Sequence, residues 1–351
     1  MAALAGLALA GTALAEPAAP IPIRVVVVTT FEVGADTGDK PGEFQDWVER
    51  YPLPAILPFP QGYRPLRINA AEGVLGIVTG EGKSHAAASI MALGMDPRFD
   101  LTRAYWILAG IAGVDPNRAS VGSAAWAKFI VDGDLGYEID GREIPADWAT
   151  GIVPFDRATP YEPPVPPEKS NSGEQVFRLD AGLVDWAYRL TEATVLPDSA
   201  QLQKVRAGYA GFPNALKPPF VLEGDTLTAD RFWLGTRLTQ WSERWVAYWT
   251  HEAGTAVTSA EEDTGYLQAL TFLAGAHRVD LGRVLDLRTA SDYECPPNGE
   301  PAAAFLAGEA HGDLSAYDAA IEAAYRVGSP VVRELTGHWD RYADHPPSAR
   351  P

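Results

Sequence analysis

The amino-acid sequence predicts an α/β fold in which helices surround a mostly parallel or mixed sheet. Continuous runs of β-branched and other apolar residues recur along the chain, as expected for strands that are buried on both faces of a sheet. Several of these runs end in glycine-rich turns that lead into helical patterns. The alternation of strand, turn and helix is typical of an α/β sandwich.

The first half of the chain contains four predicted strands, at residues 24–30, 74–78, 104–108 and 124–131. The second strand is followed by the turn Thr79-Gly80-Glu81-Gly82-Lys83 and a predicted helix over 84–91, with Ser84 as its expected cap. The third strand ends in Ala109-Gly110-Ile111-Ala112-Gly113.

A proline-rich segment follows. Residues 151–173 contain six prolines, a density that excludes a helix or a central strand. Apolar residues at helical spacing from Val176 to Leu190 predict a helix directly after it. We therefore interpret about 141–173 as a surface insertion within a single domain that spans residues 16–351.

The second half of the chain predicts a strand with its end loop over 224–233 and a last strand at 284–290, which is followed by Ser291-Asp292. Residues 256–259 lead into a predicted helix that begins near Glu262. Two helices, over roughly 314–326 and 328–343, are expected to close the chain.

The charge of the chain restricts its partners. A formal net charge of -18 argues against nucleic acid or an anionic membrane surface, because both would be repelled. The single cysteine, Cys295, permits neither an internal disulfide nor a cysteine-based metal site, and the six histidines lack metal-binding spacing. We expect no metal and no organic cofactor.

The first 15 residues form an apolar run that ends in Ala13-Leu14-Ala15, a small-x-small cleavage pattern. We interpret it as a signal peptide with a mature chain beginning near Glu16, which places the protein in the periplasm or outside the cell. The alternative is an alanine-rich disordered tail. No later apolar run is long enough for a membrane span, so none is expected in the mature chain.

Five segments resemble, in order, motifs of the nucleoside phosphorylases and methylthioadenosine nucleosidases. The segment 79–83 is similar to their Gly-x-Gly-Lys turn, 109–113 to Gly-Ser-Ala-Gly, 228–233 to Ser-Gly-Asp-x-Phe, 260–265 to Glu-Met-Glu-Ala-x-Ala, and 288–292 to Arg-x-x-Ser-Asp. The proline-rich insertion, acidic charge and export signal resemble the purine nucleoside permease subfamily. The resemblance implies a three-layer α/β/α sandwich with a central mixed sheet.

The resemblance also implies a proton donor, Asp292, for a departing purine base. A carboxyl group after a buried strand has a raised pKa, which suits this role. Glu262 matches the glutamate that binds the ribose hydroxyls, and Arg288 would orient it. The alternatives are that Ser291-Asp292 caps a helix, and that Arg288 pairs with a buried carboxylate. For Glu261 and Asp263, complementing a helix dipole is a sufficient explanation.

The remaining expected binding residues surround the base and sugar. Phe232 matches the base-stacking aromatic of the family, although a phenylalanine in a strand is more often a core residue. Trp233 would offer backbone groups to the base edge, and Ser291 belongs to the Arg-x-x-Ser-Asp match. Gly80 and Gly110 would let the backbone approach the ligand closely.

Two departures from the family concern the nucleophile. The loop 30–36 is acidic where phosphorylases carry a phosphate-binding arginine, and Ile111 replaces the family's serine. Glu32 lies near the place of the glutamate that activates water in nucleosidases. The sequence therefore favours water, while phosphate remains open as a co-substrate if Lys83 or a second subunit compensates.

These observations predict an exported enzyme that cleaves the N-glycosidic bond of purine nucleosides such as inosine, adenosine or guanosine, by phosphorolysis or hydrolysis. The alternative is a non-catalytic nucleoside-binding component of an uptake system, partnered by an inner-membrane transporter. Relatives commonly share sites across a homodimer, so this assembly is expected as well.

Overall fold

The computed structural model describes residues 19–164, 175–310 and 316–348. The expected signal peptide at 1–15 and the part of the proline-rich segment at 165–173 lie outside the described residues. None of the described helices is both long and apolar enough to cross a bilayer.

The described residues form sixteen strands and nine α-helices. The strands are β1 (Ile21–Pro22), β2 (Val25–Thr29), β3 (Ala55–Leu57), β4 (Leu66–Asn69), β5 (Val74–Val78), β6 (Phe99–Asp100), β7 (Tyr105–Val114), β8 (Ala124–Trp126), β9 (Phe129–Asp132), β10 (Tyr137–Glu138), β11 (Ile152–Val153), β12 (Val176–Arg178), β13 (Val221–Glu223), β14 (Asp225–Thr228), β15 (Ala256–Ala260) and β16 (Val284–Tyr293). The helices are α1 (Gln45–Arg50), α2 (Lys83–Gly94), α3 (Ala181–Thr191), α4 (Ala200–Ala207), α5 (Thr236–Trp249), α6 (Asp263–Gly275), α7 (Ala302–Ala310), α8 (Tyr317–Gly337) and α9 (Trp339–Tyr342).

Twelve of the strands form one mixed sheet. Nine of them are neighbours in the order β12-β9-β14-β15-β7-β2-β5-β4-β3. Strand β16 pairs with β7 and with β8, and β8 also pairs with β13. The long strand β7 runs parallel to β2 and β16 and antiparallel to β15. Helix α8 packs on β16 and β7, and α2 packs against α6. The predicted three-layer α/β/α sandwich with a mixed central sheet is confirmed.

One edge of β7 is shared by two strands that separate from each other. Strand β2 pairs with its first half, up to Leu108, and β15 pairs with its end, from Gly113. Within the described part of the chain, no strand pairs with this edge between Ala109 and Ala112. The sheet therefore forks here, and the fork exposes backbone groups of β7 to side chains and to any ligand.

Four expectations about local structure were wrong. Helix α2 begins at Lys83 with Gly82, at φ +85°, as its cap residue, so Ser84 is inside the helix. The predicted strand 124–131 is two short strands, β8 and β9. The helix expected from Val176 begins at Ala181, after β12, because Asp180 caps it by accepting a hydrogen bond from the Leu183 N–H. The two closing helices are the single helix α8, followed by the short α9.

The structure also decides the alternative for Ser291-Asp292. Both residues lie within β16, which continues to Tyr293 and is buried along its length. The register of β16 against β7 shifts between Ala290 and Asp292. These two residues therefore do not cap a helix; they stand at an irregularity in a buried strand.

Candidate functional site

A cavity of about 140 Å³ opens at the fork between β2 and β15. Its walls come from the residues after β2, β14 and β15 and from the second halves of β7 and β16. The lining residues are Thr30, Phe31, Glu43, Glu81, Ile111, Ala112, Gly113, Phe232, Ser259, Ala260, Glu261, Glu262, Arg288, Ser291 and Asp292. Five of them, Phe232, Glu262, Arg288, Ser291 and Asp292, were expected from the sequence.

Arg288 is the buried centre of this site. Its Nε and Nη2 atoms donate to the two carboxylate oxygens of Asp263 at 2.8 and 3.0 Å, and Nη2 also donates to Glu262 Oε2 at 2.8 Å. Its Nη1 donates to the carbonyl oxygen of Ile111 at 2.9 Å, in the fork of the sheet. Arg288 thus fixes the helix start that carries Glu262 and Asp263 against β7.

The two carboxylates respond differently to Arg288. Burial opposes ionisation of Asp263, but the two-point ion pair with Arg288 outweighs it and lowers the pKa of Asp263. Burial raises the pKa of Glu262 despite the same arginine. Asp263 is therefore the main partner of Arg288, which corrects the view that it merely complements a helix dipole. Glu262, whose Oε1 accepts from the Gly82 N–H at 3.1 Å, faces the cavity.

Glu43 is a wall residue that sequence reasoning missed. Its Oε2 accepts from the N–H and the hydroxyl of Thr30 at 2.6 and 2.8 Å, and its Oε1 accepts from the Ile111 N–H at 2.7 Å. It therefore occupies the fork that no strand fills. Burial raises the pKa of Glu43 to about 7, with Arg288 acting against the rise and Glu262 adding to it.

Asp292 lines the same cavity as Glu43. Ser291 Oγ donates to Asp292 Oδ1 at 2.8 Å, and Oδ2 lies near Gly113, 3.4 Å from the point where a Cβ would stand. Burial raises the pKa of Asp292, and the hydrogen bond from Ser291 offsets this only in part. A carboxyl group in this setting tends to keep its proton, as a general acid requires.

The electrostatics of the wall are strongly acidic. Glu43, Glu81, Glu261, Glu262 and Asp292 line it, and Arg288 is the one cation among the described lining residues. Burial and the neighbouring Glu262 and Glu81 raise the pKa of Glu261 to about 7. Lys83 does not compensate, because its Nζ forms ion pairs with Asp132 and Asp134 at 3.0 and 2.7 Å.

Phe232 is not a core residue. It is 55% exposed and forms part of the cavity wall. Trp233, in contrast, turns away from this wall and packs edge-on against Trp241 with ring centroids 5.9 Å apart. The structure places Trp233 on a neighbouring groove.

Three other expected residues lie outside the wall. Glu32 is engaged with the backbone: its carboxylate accepts from the N–H groups of Val33, Gly42, Phe44 and Gln45. Glu32 thus shapes the loop, and Glu43, from the same loop, lines the cavity wall. Gly80, at φ +89°, lies in the turn before α2. Gly110 lies behind the wall, where a Cβ would stand 2.5 Å from Arg288 Nη1.

Two solved structures share the fold of this chain. A 5'-methylthioadenosine/S-adenosylhomocysteine nucleosidase from S. pneumoniae, solved with a transition-state inhibitor, aligns with a TM-score of 0.52 and 16% identity over 90% of this chain and 99% of that chain. The futalosine hydrolase of Helicobacter pylori aligns with a TM-score of 0.51 and 11% identity over 88% and 97%. At this identity the likeness shows the fold.

Sequence relatives identify the family. A probable purine nucleoside permease of Schizosaccharomyces pombe is 32% identical over 282 residues, which are 79% of this chain and 80% of the relative. A purine nucleoside permease of Candida albicans is 28% identical over 337 residues, 95% of this chain and 79% of the relative. The family description "Purine nucleoside permease (NUP)" matches residues 22–347. The chain belongs to the purine nucleoside permease family.

Proposed function

We propose that this protein hydrolyses the N-glycosidic bond of purine nucleosides. The observation that carries the proposal is the pairing of two carboxyl groups in one cavity. Burial raises the pKa of Asp292, the direction that a proton donor requires, and Glu43, with a pKa of about 7, can exist as a base near neutral pH. Hydrolysis of this bond requires one group that protonates the leaving base and a second group that accepts a proton from the attacking water.

In the proposed reaction, water attacks C1′ of the ribose and the bond from C1′ to N9 of the base breaks. The bonding electrons go to the base, which takes a proton at N7 from Asp292. Glu43 accepts the proton that the attacking water loses. The products are the free purine and ribose, and solvent exchange restores the proton on Asp292 and removes it from Glu43.

Glu262 and Arg288 support the ribose in this proposal. Glu262 has one oxygen bound to Arg288 and the other to the Gly82 N–H, and it lines the cavity. Its remaining lone pairs are free to accept from ribose hydroxyls, and a fixed negative charge there stabilises the positive sugar of the transition state. The exposed ring of Phe232 offers the base a stacking surface.

The charge of the wall favours water over phosphate as the nucleophile. Inorganic phosphate would enter beside Glu81 and the partly ionised Glu43 and Glu261, while Arg288 is already paired with Glu262 and Asp263. Two like charges about 5 Å apart repel by about 3 kcal/mol at an effective dielectric constant of about 20. Water carries no such penalty.

The test is to incubate the purified protein with inosine, adenosine and guanosine, with and without phosphate, and to separate the products by chromatography. We expect free base and ribose in phosphate-free buffer. A strict phosphate requirement, with ribose 1-phosphate as product, would overturn hydrolysis. Nucleosides that remain intact under both conditions would overturn catalysis.

The names of the relatives favour a second function, nucleoside binding for uptake with an inner-membrane transporter as partner. This function requires affinity without turnover. Calorimetry with inosine, beside the product analysis, separates the two: tight binding of a nucleoside that is never cleaved supports the carrier. Retention of both Asp292 and Glu43 on the wall favours the enzyme, because a carrier needs no proton transfer.

Export and dimer formation are part of the same proposal. The cleavage pattern at Ala13-Leu14-Ala15 supports export to the periplasm or the medium. Mass spectrometry of protein from its native host is expected to find a mature start near Glu16, and an intact start in the cytoplasm would contradict it.

We expect the purified protein to be a homodimer, and light scattering measures the mass of the particle in solution.

A further inference from the structure

A second buried carboxyl group lies close behind Asp292. Glu294 directly follows β16 and is 2% exposed, and its Oε2 atom has no hydrogen-bond partner among the described residues. It is not one of the described residues that line the candidate cavity, and the proposed hydrolysis gives it no role. A buried carboxyl oxygen without a donor favours the protonated form, so Glu294 holds a proton inside the protein.

The sheet places the side chains of Asp292 and Glu294 on one face. Alternate residues of a strand point to the same side, and so do residues paired across neighbouring strands. Asp292 pairs with Gly113 of β7. The Glu294 N–H donates to the carbonyl oxygen of Val114 at 2.9 Å, so the parallel pairing continues past β16 and brings Glu294 beside Asp115. Asp292, Glu294 and Asp115 therefore share this face.

Gly113 leaves a gap between the two carboxyl groups. From the point where a Cβ of Gly113 would stand, Ser259 Oγ is 2.8 Å away, and both Asp292 Oδ2 and Glu294 Cγ are 3.4 Å away. The two acidic side chains thus border the same small space from opposite ends. One water molecule, or a rotation of the Glu294 side chain, is enough to connect them by hydrogen bonds.

The ionisation of Glu294 depends on its neighbours. Burial is the main cause that raises the pKa of Glu294 well above its usual range. Three carboxylates nearby add to this rise and one hydroxyl opposes it; the carboxylates are Asp115, Asp292 and Glu243, and the hydroxyl is that of Ser259. Burial also raises the pKa of the adjacent Cys295 thiol to about 11, so the thiol stays neutral. Two negative charges on Asp292 and Glu294 at once are disfavoured, and the pair retains a proton.

The series of carboxyl groups continues to the surface. Asp115 is 1% exposed, and burial raises its pKa to about 6, with Glu243 adding to the rise and Asn117 opposing it. Glu243, on α5, has 29% of its side chain exposed and forms an ion pair with Arg118 at 3.1 Å. Asp115 therefore connects the buried Glu294 with a carboxylate that solvent reaches.

We propose that Glu294 stores a proton and returns it to Asp292 after each turnover. Asp292 gives its proton to the departing base and becomes a carboxylate. Glu294 then passes its own proton across the gap at Gly113 and takes up another from solvent through Asp115 and Glu243. One proton thus enters for each proton that the base carries away. The transfer rests on the proposed function, whereas the pairing of the two carboxyl groups does not.

A titration without substrate tests the pairing. The infrared band of protonated carboxyl groups is recorded against pH, and the difference between the wild-type protein and Glu294→Gln isolates the ionisation of Glu294. The same difference is then taken in an Asp292→Asn background, where the neighbouring charge is absent. The midpoint for Glu294 is expected to fall there by about 1–2 pH units. An unchanged midpoint would overturn the proposal.

The time course of product release tests the return of the proton. In Glu294→Gln, which keeps the shape of the neutral acid, the first turnover uses the proton already on Asp292. Later turnovers require a proton that arrives through the open cavity. Rapid mixing with inosine is expected to show a burst of about one product per protein molecule, then a steady rate about tenfold below that of the wild type. Asp115→Asn interrupts the same path and is expected to give the same burst.

Glu300→Gln is the matched control, since Glu300 is an exposed glutamate in the segment after β16. It is expected to show wild-type kinetics without a burst. A variant that is merely destabilised loses rate in both phases alike, so linear product release by both Glu294→Gln and Asp115→Asn would overturn the return of the proton. If the two ionisations depend on each other but the wild-type protein cleaves no nucleoside, hydrolysis fails and the transfer with it, whereas the carboxyl pair stands.

Discussion

In the proposed hydrolysis, Asp292 is the residue on which catalysis depends most directly. Its carboxyl group is buried, receives a hydrogen bond from Ser291 and faces the cavity. Asp292→Asn keeps the shape of the side chain but removes the transferable proton. Turnover of inosine is expected to fall by about 10²–10⁴-fold, the usual contribution of general acid catalysis. Nucleoside affinity is expected to change far less, because the amide still donates a hydrogen bond to N7.

Asp147→Asn provides the matched control, since Asp147 is exposed and far from the wall. It is expected to leave turnover unchanged. Steady-state kinetics and calorimetry on both variants make the comparison. Unimpaired cleavage by Asp292→Asn would assign the proton donor to another group.

Glu43 is expected to control the acidic limb of the pH profile. Since its pKa is raised to about 7, it is a base only above that pH, and kcat is expected to rise with pH through about 7. Glu43→Gln removes the base, so kcat is expected to drop by about 10²–10⁴-fold and the limb near pH 7 to vanish.

The amide in Glu43→Gln can accept from either the Thr30 or the Ile111 N–H with its single oxygen, so the other donor loses its partner. This costs about 1–3 kcal/mol of stability. Thermal unfolding therefore accompanies the pH profiles. A folded variant that keeps the limb at pH 7 would show that Glu43 is not the base.

Sequence reasoning located residues that stand within or directly after strands. Arg288, Ser291 and Asp292 lie in β16, and their spacing reproduces a family motif. Glu43 was missed because it reaches the wall through an irregular loop of more than ten residues after β2. No periodicity predicts how such a loop folds back. Here four backbone N–H groups donate to the Glu32 carboxylate and hold the loop in its folded-back shape. The signal in the sequence was the presence of a second glutamate, Glu43, in the same loop as Glu32.

At the scale of elements, the forked edge of β7 requires a residue without a side chain. A Cβ at Gly110 would stand 2.5 Å from Arg288 Nη1 and 2.8 Å from Glu43 Oε1, closer than atoms can approach. Gly110→Ala is expected to displace both groups, to destabilise the fold by about 1–3 kcal/mol and to lower kcat/KM strongly. Denaturant unfolding and steady-state kinetics measure the two effects.

Gly275→Ala is the control for this substitution, because a Cβ at Gly275, the last residue of α6, meets nothing within 4 Å. It is expected to leave activity intact and not to lower stability. If Gly110→Ala is as active as Gly275→Ala, the wall tolerates rearrangement and the close fit at Gly110 carries no function.

Elements with long apolar runs were predictable, and elements set by tertiary packing were not. Strands β2 and β5 follow directly from their sequences, whereas β7 and β16 continue beyond the predicted 104–108 and 284–290 to Val114 and Tyr293. The helices expected at 314–326 and 328–343 are one helix, and α8 continues through Pro330. Proline removes one backbone hydrogen bond, but Val327 and Val331 on either side are fully buried against the sheet. Burial of this face outweighs the local preference.

For the whole molecule, the buried carboxyl groups predict how stability changes with pH. Burial raises the pKa of Glu43 to about 7 and that of Asp115 to about 6. Both groups ionise near pH 4 in the unfolded chain. Their contribution to the free energy of unfolding is therefore complete below about pH 4 and is lost as the pH rises through about 7. Glu43 alone accounts for about 3 kcal/mol.

We therefore expect the melting temperature to fall between pH 5 and pH 8, with a smaller fall in Glu43→Gln. The lowered pKa of Asp263 makes stability increase with pH instead, but this effect is confined to pH values below the usual pKa of an aspartate. Calorimetric scans across this range are the measurement. A melting temperature that rises towards pH 8 would contradict the expectation.

The acidic wall also has a consequence for phosphorylated forms of the nucleoside that reach the site. A 5′-phosphate adds a charge of about -1.5 to -2, and each charge placed about 5 Å from a wall carboxylate costs about 3 kcal/mol at an effective dielectric constant of about 20. We expect adenosine monophosphate to neither react nor compete with adenosine in an inhibition assay at low salt. Under the proposed function, a nucleotide must lose its phosphate to a phosphatase before this protein acts on it, so dephosphorylation would precede glycosidic cleavage.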